Sequence, residues 1–117
     1  MIPYSRQIIS LADIKKVNEV LKSDYLTQGP KTHLFEKEIE KNIGVKHAIT
    51  FNSATSALHI ACLALNVGEG DIVWTSPISF VASSNCALFC GASVDFVDID
   101  INTYNMDVEK LEEKLHD

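Results

Sequence analysis

Apolar positions set the first expectations. Ser10 followed by Asp13 has the form of a capping box, and Leu11, Ile14, Val17, Val20 and Leu21 then form one face of a helix through about Ser23. Thr27-Gln28-Gly29-Pro30 reads as a turn, after which Leu34, Phe35, Ile39 and Ile43 recur at helical spacing until Gly44 supplies a stop. From His47 the period changes. His47 to Phe51 reads as a strand, Ala54 to about Leu65 as a helix apolar on most sides, and Gly68 and Gly70 as punctuation. Asp71 to Ser76 predicts a second strand, Phe80 to about Cys90 a second buried helix, and Ser93 to Val97 a third strand. A last helix follows, capped by Asp107, with Val108, Leu111 and Leu115 inward and Glu109, Glu112, Glu113 and Lys114 toward water. Alternation of strand and helix predicts an α/β unit with a mainly parallel sheet and right-handed crossovers. The expected organisation is a helical segment over 1–46 and an α/β part over 47–117.

Composition narrows the function classes. With 117 residues, 46% of them apolar, the chain has enough apolar material for a core. No run nears the roughly 18 apolar residues of a membrane helix, and the amino terminus shows no secretory signal, so the expectation is a cytoplasmic protein with no membrane partner. The net charge is −6, and residues 47–109 contain neither Lys nor Arg. Without a basic stripe, nucleic acid is not an expected partner. Cys62, Cys86 and Cys90 lie in apolar helical surroundings with no CxxC pair, which favours free thiols over a disulfide framework or a zinc site; no metal is expected.

Two places could carry chemistry. Asn52-Ser53-Ala54-Thr55-Ser56 crowds hydroxyls at a strand-to-helix junction, where free N–H groups and the helix dipole favour an anion such as phosphate. Simple capping by Asn52 or Ser53 explains the same residues. Neither GxGxxG nor GxxxxGK[ST] occurs. The second place is Thr75-Ser76-Pro77-Ile78-Ser79-Phe80, at the carboxyl end of a strand, where open α/β sheets gather ligands. There Phe80 could cover a flat heteroaromatic ring anchored by phosphate at the neighbouring helix start, or be ordinary core.

Three stretches together, Asn52 to His59, Thr75 to Ala82 and Gly91 to Asp100, resemble the DegT/DnrJ/EryC1/StrS sugar aminotransferases in order and spacing. With Leu26 to Gly29 and Gly44 to Ala48, the resemblance covers nearly the whole chain and is nearest to the branch that makes UDP-4-amino-4,6-dideoxy-N-acetyl-β-L-altrosamine for pseudaminic acid. It implies the amino-terminal part of the large domain of a fold-type I enzyme, three-layer α/β/α, that uses pyridoxal 5'-phosphate (PLP). It further implies a homodimer that moves an amino group from glutamate to C4 of a UDP-linked 4-keto-6-deoxy sugar. By position, the turn matching Ala54, Thr55 and Ser56 binds the cofactor phosphate and the aromatic matching Phe80 stacks on its ring. Tyr4 and the turn Tyr25, Leu26, Thr27 and Gln28 match segments beside the sugar. Ala54 stands where many relatives place Gly, a mild departure that the pseudaminic branch shares.

The family's Schiff-base Lys and the Asp that pairs with the pyridine nitrogen match segments beyond Asp117, so the chain alone is expected to be inactive. Lys110 reads as a solvated helix residue, Asp98 with Asp100 as a strand end, and His47 and His59 as structural. The rival reading is a self-contained α/β module that binds a small phosphorylated ligand at the same helix start without catalysis. A third is a structural or interaction protein with no ligand.

Overall fold

A computed structural model describes residues 2–116. It holds α1 (Leu11–Leu21), α2 (Pro30–Ile43), α3 (Ala54–Ala64), β1 (Ile72–Thr75), α4 (Ala82–Phe89), β2 (Ser93–Phe96) and α5 (Val108–His116). The residues form two compact units, Met1–Thr50 and Phe51–Asp117.

In the first unit, local chemistry explains each helix end. Ser10 Oγ accepts from the Asp13 N–H at 3.2 Å, and Asp13 Oδ2 accepts from the Ser10 N–H at 2.7 Å, so the expected capping box forms. Such a cap contributes about 1 kcal/mol. Pro30 opens α2, where a missing N–H costs nothing. Gly44 closes it in the left-handed region, φ 75°, with its N–H donating to the Glu40 carbonyl at 2.9 Å. Neither helix contains a buried residue, although each carries the apolar face that its spacing predicts.

The expected strand from His47 to Phe51 does not form, so the sheet has two strands. A strand needs a neighbour's ladder, and here the amides turn to a helix instead. The Ala48 N–H donates to Glu40 Oε1 at 3.2 Å, and Thr50 donates its N–H and its hydroxyl to Glu36 Oε1, each at 2.9 Å. The spacing makes this possible: carboxylates four apart on a helix stand about 6 Å apart. Alternate amides of an extended chain are separated by about 6.6 Å.

In the second unit, β1 and β2 pair in parallel, Ile72 with Ser93 through Thr75 with Phe96. The ladder is flanked by Ser93 N–H to the Asp71 carbonyl at 2.9 Å and Val97 N–H to the Thr75 carbonyl at 3.0 Å. The connection runs through α4, which packs against both strands and against α3. The core lies there: Ala82, Cys86, Ala87, Ala92 and Val97 are the buried apolar residues among those described. Burying Val97, 2% exposed, is worth about 1.5 to 3 kcal/mol. This core is smaller than the apolar content suggested. Helix α3, expected to be buried, has no buried residue, and Leu58, Ile60 and Leu63 are exposed on it. The three thiols are free: Cys86 is buried and Cys62 and Cys90 half-buried. Desolvation chiefly, with the neighbouring Cys86 and Cys90 thiols, pushes the Cys62 thiol above its ordinary value.

Asp107 caps α5 as expected, its Oδ1 accepting from the Glu109 N–H at 2.9 Å. The helix face differs from expectation. Val108 and Leu115 are exposed and only Leu111 is half-covered, whereas Lys114 turns inward and binds the Phe96 carbonyl at 2.9 Å and Asp95 at 2.6 Å. Lys110 is exposed, as expected, and pairs at the surface with Asp98 at 3.2 Å. The chain has no cation between residues 47 and 109, so the carboxylates of the β2 end recruit the two lysines that follow. Asp95 is accordingly held below its ordinary range, first by the Lys114 hydrogen bond and next by the Phe96 N–H.

The Thr50 hydrogen bonds, backbone first, also hold Glu36 below its ordinary value of 4.5. A depressed folded-state pKa means that these bonds stabilise fully above the unfolded value and are lost as pH falls through the folded one. Protection of the Thr50 amide against exchange, corrected for intrinsic rate, should therefore hold at neutral pH and decline below about 4.5. Glu36→Gln should lower that protection at neutral pH and flatten the decline; unchanged protection in that variant would show that the carboxylate does not hold the segment.

Candidate functional site

The strand-to-helix turn before α3 is built by Ser53. Its backbone is extended, φ −157° and ψ 155°, and its Oγ accepts from the Ser56 N–H at 3.1 Å. Capping, the plainer of the two readings of this segment, is therefore realised by Ser53, and it uses one of the free donors. Others remain. Among the described residues no hydrogen bond is made by the Ala54 and Thr55 N–H groups, which lie in the first turn, where no intrahelical acceptor exists. Ser56 Oγ lies 3.0 Å from Ser53 Oγ, and Thr55 and Ser56 are both half-buried. Two unused N–H groups, two hydroxyls and the positive end of an eleven-residue helix make a cradle suited to a phosphate dianion.

At the carboxyl end of β1 the chain turns through Ser76, whose Oγ accepts from the Ile78 N–H at 3.3 Å, and enters α4. The helix begins at Ala82 rather than at Phe80, because the Phe80 and Val81 carbonyls accept from Ser83, Ser84 and Asn85 while Phe80 itself stays outside the helix. Phe80 is 74% exposed, so in this unit it is not core. It lines a hollow of about 170 Å³ with Thr75, Ser76, Ser79, Ser83 and Phe96. Ser79 and Ser83 hydroxyls meet at 3.0 Å on its wall. Phe96 and Ser83 were not singled out from sequence. The signal existed in the register: Thr75 and Phe96 are the last residues of paired parallel strands and so end at the same place.

The other candidates belong to the first unit. Tyr4 is fully exposed, and Tyr25 and Leu26 are largely so. Tyr25, Leu26 and Gln28 line a hollow of about 210 Å³ with Val20, Ser23 and Thr32; Thr27 is exposed in the same turn. The turn is conformationally specified. Gln28 has φ 51°, and Gly29 is needed because a Cβ there would stand 2.7 Å from Tyr25 Cβ. Ser23 Oγ ties the turn back by donating to the Val20 carbonyl at 2.7 Å.

His59 meets Phe89 edge to face at 5.4 Å, a packing role. Asp98 and Asp100 accept hydrogen bonds from the Ile99 and Asn102 amides in the loop after β2. Among the described residues no cluster of His, Cys, Asp or Glu is arranged to hold a metal ion, and no helix is long and apolar enough to cross a membrane.

Comparison with known proteins agrees with these elements. The chain is 49% identical over 115 residues to a UDP-4-amino-4,6-dideoxy-N-acetyl-β-L-altrosamine transaminase of Campylobacter jejuni, covering 98% of this chain and 30% of that protein. Among solved structures, Helicobacter pylori PseC, an aminotransferase of pseudaminic acid biosynthesis, superposes with a TM-score of 0.89 at 42% identity, covering 95% of this chain and 30% of that one. The PLP-form of the Streptococcus pneumoniae sugar aminotransferase Spr1654 superposes with a TM-score of 0.91 at 35% identity, covering 96% of this chain and 29% of that one. The chain thus spans less than a third of the length of these relatives. Both solved relatives are aminotransferases, so the two-stranded α/β unit corresponds to part of an aminotransferase fold. Residues 7–117 match the aminotransferase family throughout, and the chain belongs to the DegT/DnrJ/EryC1/StrS aminotransferase family.

Proposed function

We propose that these residues form the amino-terminal part of a cytoplasmic, homodimeric, PLP-dependent enzyme that transfers an amino group from glutamate to C4 of a UDP-linked 4-keto-6-deoxy sugar, in pseudaminic acid biosynthesis. The observation that carries this reading is the 49% identity to the C. jejuni transaminase over 98% of the chain. The geometry supports it, because the residues present suit the cofactor. The Ala54 and Thr55 N–H groups and the Thr55 and Ser56 hydroxyls would hold its phosphate. Phe80, exposed in the segment between β1 and α4, is available to cover one face of its ring and exclude water there. When bound, PLP supplies an electron sink for the amino transfer. Tyr4, Tyr25, Leu26, Thr27 and Gln28 would contact the sugar. The lysine and aspartate that complete the chemistry would be supplied by other residues of the full-length protein.

The test is an assay of the full-length protein with glutamate, PLP and a UDP-4-keto-6-deoxy sugar, reading formation of the 4-amino sugar. Absence of product, with a sister nucleotide sugar aminated instead, would reassign the substrate; no amination of any keto sugar would refute the reading. The 117-residue chain alone should show no turnover, and borohydride should mark no single substrate-protected lysine in it.

In the full-length enzyme, Thr55→Val should weaken PLP retention by about 1.5 to 3 kcal/mol, the worth of a hydrogen bond to a charged group. Equilibrium dialysis reads this directly, and an unaltered affinity removes Thr55 from the phosphate site. Phe80→Ala should change the bound cofactor's absorbance and cost about 0.5 to 1.5 kcal/mol beyond lost contact area, while Phe80→Trp is tolerated. A Phe80→Ala protein with lower melting temperature but an unchanged cofactor spectrum would make Phe80 a packing residue.

A further inference from the structure

The two edges of the sheet are unlike. In a parallel pair, alternate residues of a strand direct their N–H and C=O groups toward the partner and the others direct theirs away. The Ser93 and Val97 amides face β1, so those of Val94 and Phe96 point outward. At Phe96 both outward groups are already engaged. Its N–H donates to Asp95 Oδ1 at 2.7 Å, and its carbonyl accepts from Lys114 Nζ at 2.9 Å. The two side chains that do this are joined to each other at 2.6 Å, and the ammonium also stands 5.8 Å from the centroid of the Trp74 ring. Lys114 is 28% exposed, against 47% for Lys110. The outward groups of Val94 on β2, and of Ile72 and Trp74 on β1, make no hydrogen bond among the described residues, so Phe96 is the engaged position.

We infer that Lys114 and Asp95 form an edge lock at the carboxyl end of β2, which prevents β2 of a second copy of this chain from pairing along its full length. A strand added along the whole of β2 has to engage the Phe96 N–H and C=O, and it reaches them only by displacing a mutually paired carboxylate and ammonium. A second copy is the competitor that matters, since its β2 offers the same length and apolar content at the same concentration. The lock is closed by a residue 18 positions beyond the strand, so it is set only once α5 has formed. Nothing in this inference depends on the proposed reaction.

Lys114→Met in the full-length protein tests it, because Met keeps an apolar stem beside Trp74 and removes the donor. Sedimentation velocity over a concentration series should shift toward larger species with rising concentration, whereas Lys114→Arg should sediment as the unaltered protein does. Adding Phe96→Pro to Lys114→Met should restore the original sedimentation, since Pro removes the outward N–H while the ladder to β1 uses the amides on either side. Three results overturn the inference: Lys114→Met sedimenting unchanged at every concentration, association persisting with Phe96→Pro present, or Lys114→Met losing its native far-ultraviolet circular dichroism. In the last case the lysine holds the fold and not the edge.

Discussion

Residues 51–117 depend on one constraint: two parallel strands four residues long cannot be joined by a turn, and the chain must cross from the end of one to the start of the other. Helix α4 makes that crossing and packs against the sheet and α3, and three of the buried residues, Ala82, Cys86 and Ala87, lie on it. Small side chains at these places let the helix lie close to the ladder. The same crossing places the ends of β1 and β2, Thr75 and Phe96, side by side, and leaves Phe80 projecting where the chain leaves the sheet. The hollow beside Phe80 is thus a product of parallel pairing before it is a product of any ligand.

Features governed by neighbours in sequence were legible in advance. The Ser10–Asp13 box, the stop at Gly44 and the Asp107 cap each need only a few residues and a fixed geometry, and each stands where the sequence put it. The junction at Ser53 was legible as a helix start, and capping accounts for part of what its hydroxyls do. The strand at 47–51 was not legible because a strand exists only by its partner. The strand-like run from His47 to Phe51 records an extended tendency, and the carboxylates of Glu36 and Glu40 satisfy the Ala48 and Thr50 amides in place of a ladder. Lys114 was misplaced for a related reason: helical periodicity assigns every charge to solvent, and only the distant cluster of Asp95 and the Phe96 carbonyl reveals why this one turns in. Phe96 escaped notice because a strand-end residue acquires a role through register, which no single segment displays.

The apolar surface has its own meaning. Ile14, Val17 and Leu21 on α1, Leu34 and Phe35 on α2, and Leu58 and Leu63 on α3 are exposed, and they include the positions whose spacing announced the helices. The pattern therefore recorded burial that these units do not achieve by themselves. This fits a chain that matches an aminotransferase family yet spans less than a third of its relatives' length. Sequence patterning reports the surroundings for which a segment was selected, and those surroundings extend beyond its own contacts.

The carboxylate pair on α2 bears on the order of folding. Glu40 reaches Ala48 across eight residues and Glu36 reaches Thr50 across fourteen, so both contacts close short loops at small entropic cost. Contacts of such low order form early, well before pairings between distant segments. The backbone just ahead of the α3 helix start is consequently shaped by residues already synthesised, and it has no need to wait for a strand that comes later in the chain. A nascent polypeptide would leave the ribosome with this stretch tethered by two acids, its amides shielded from intermolecular pairing during the interval in which a free strand is most prone to aggregate.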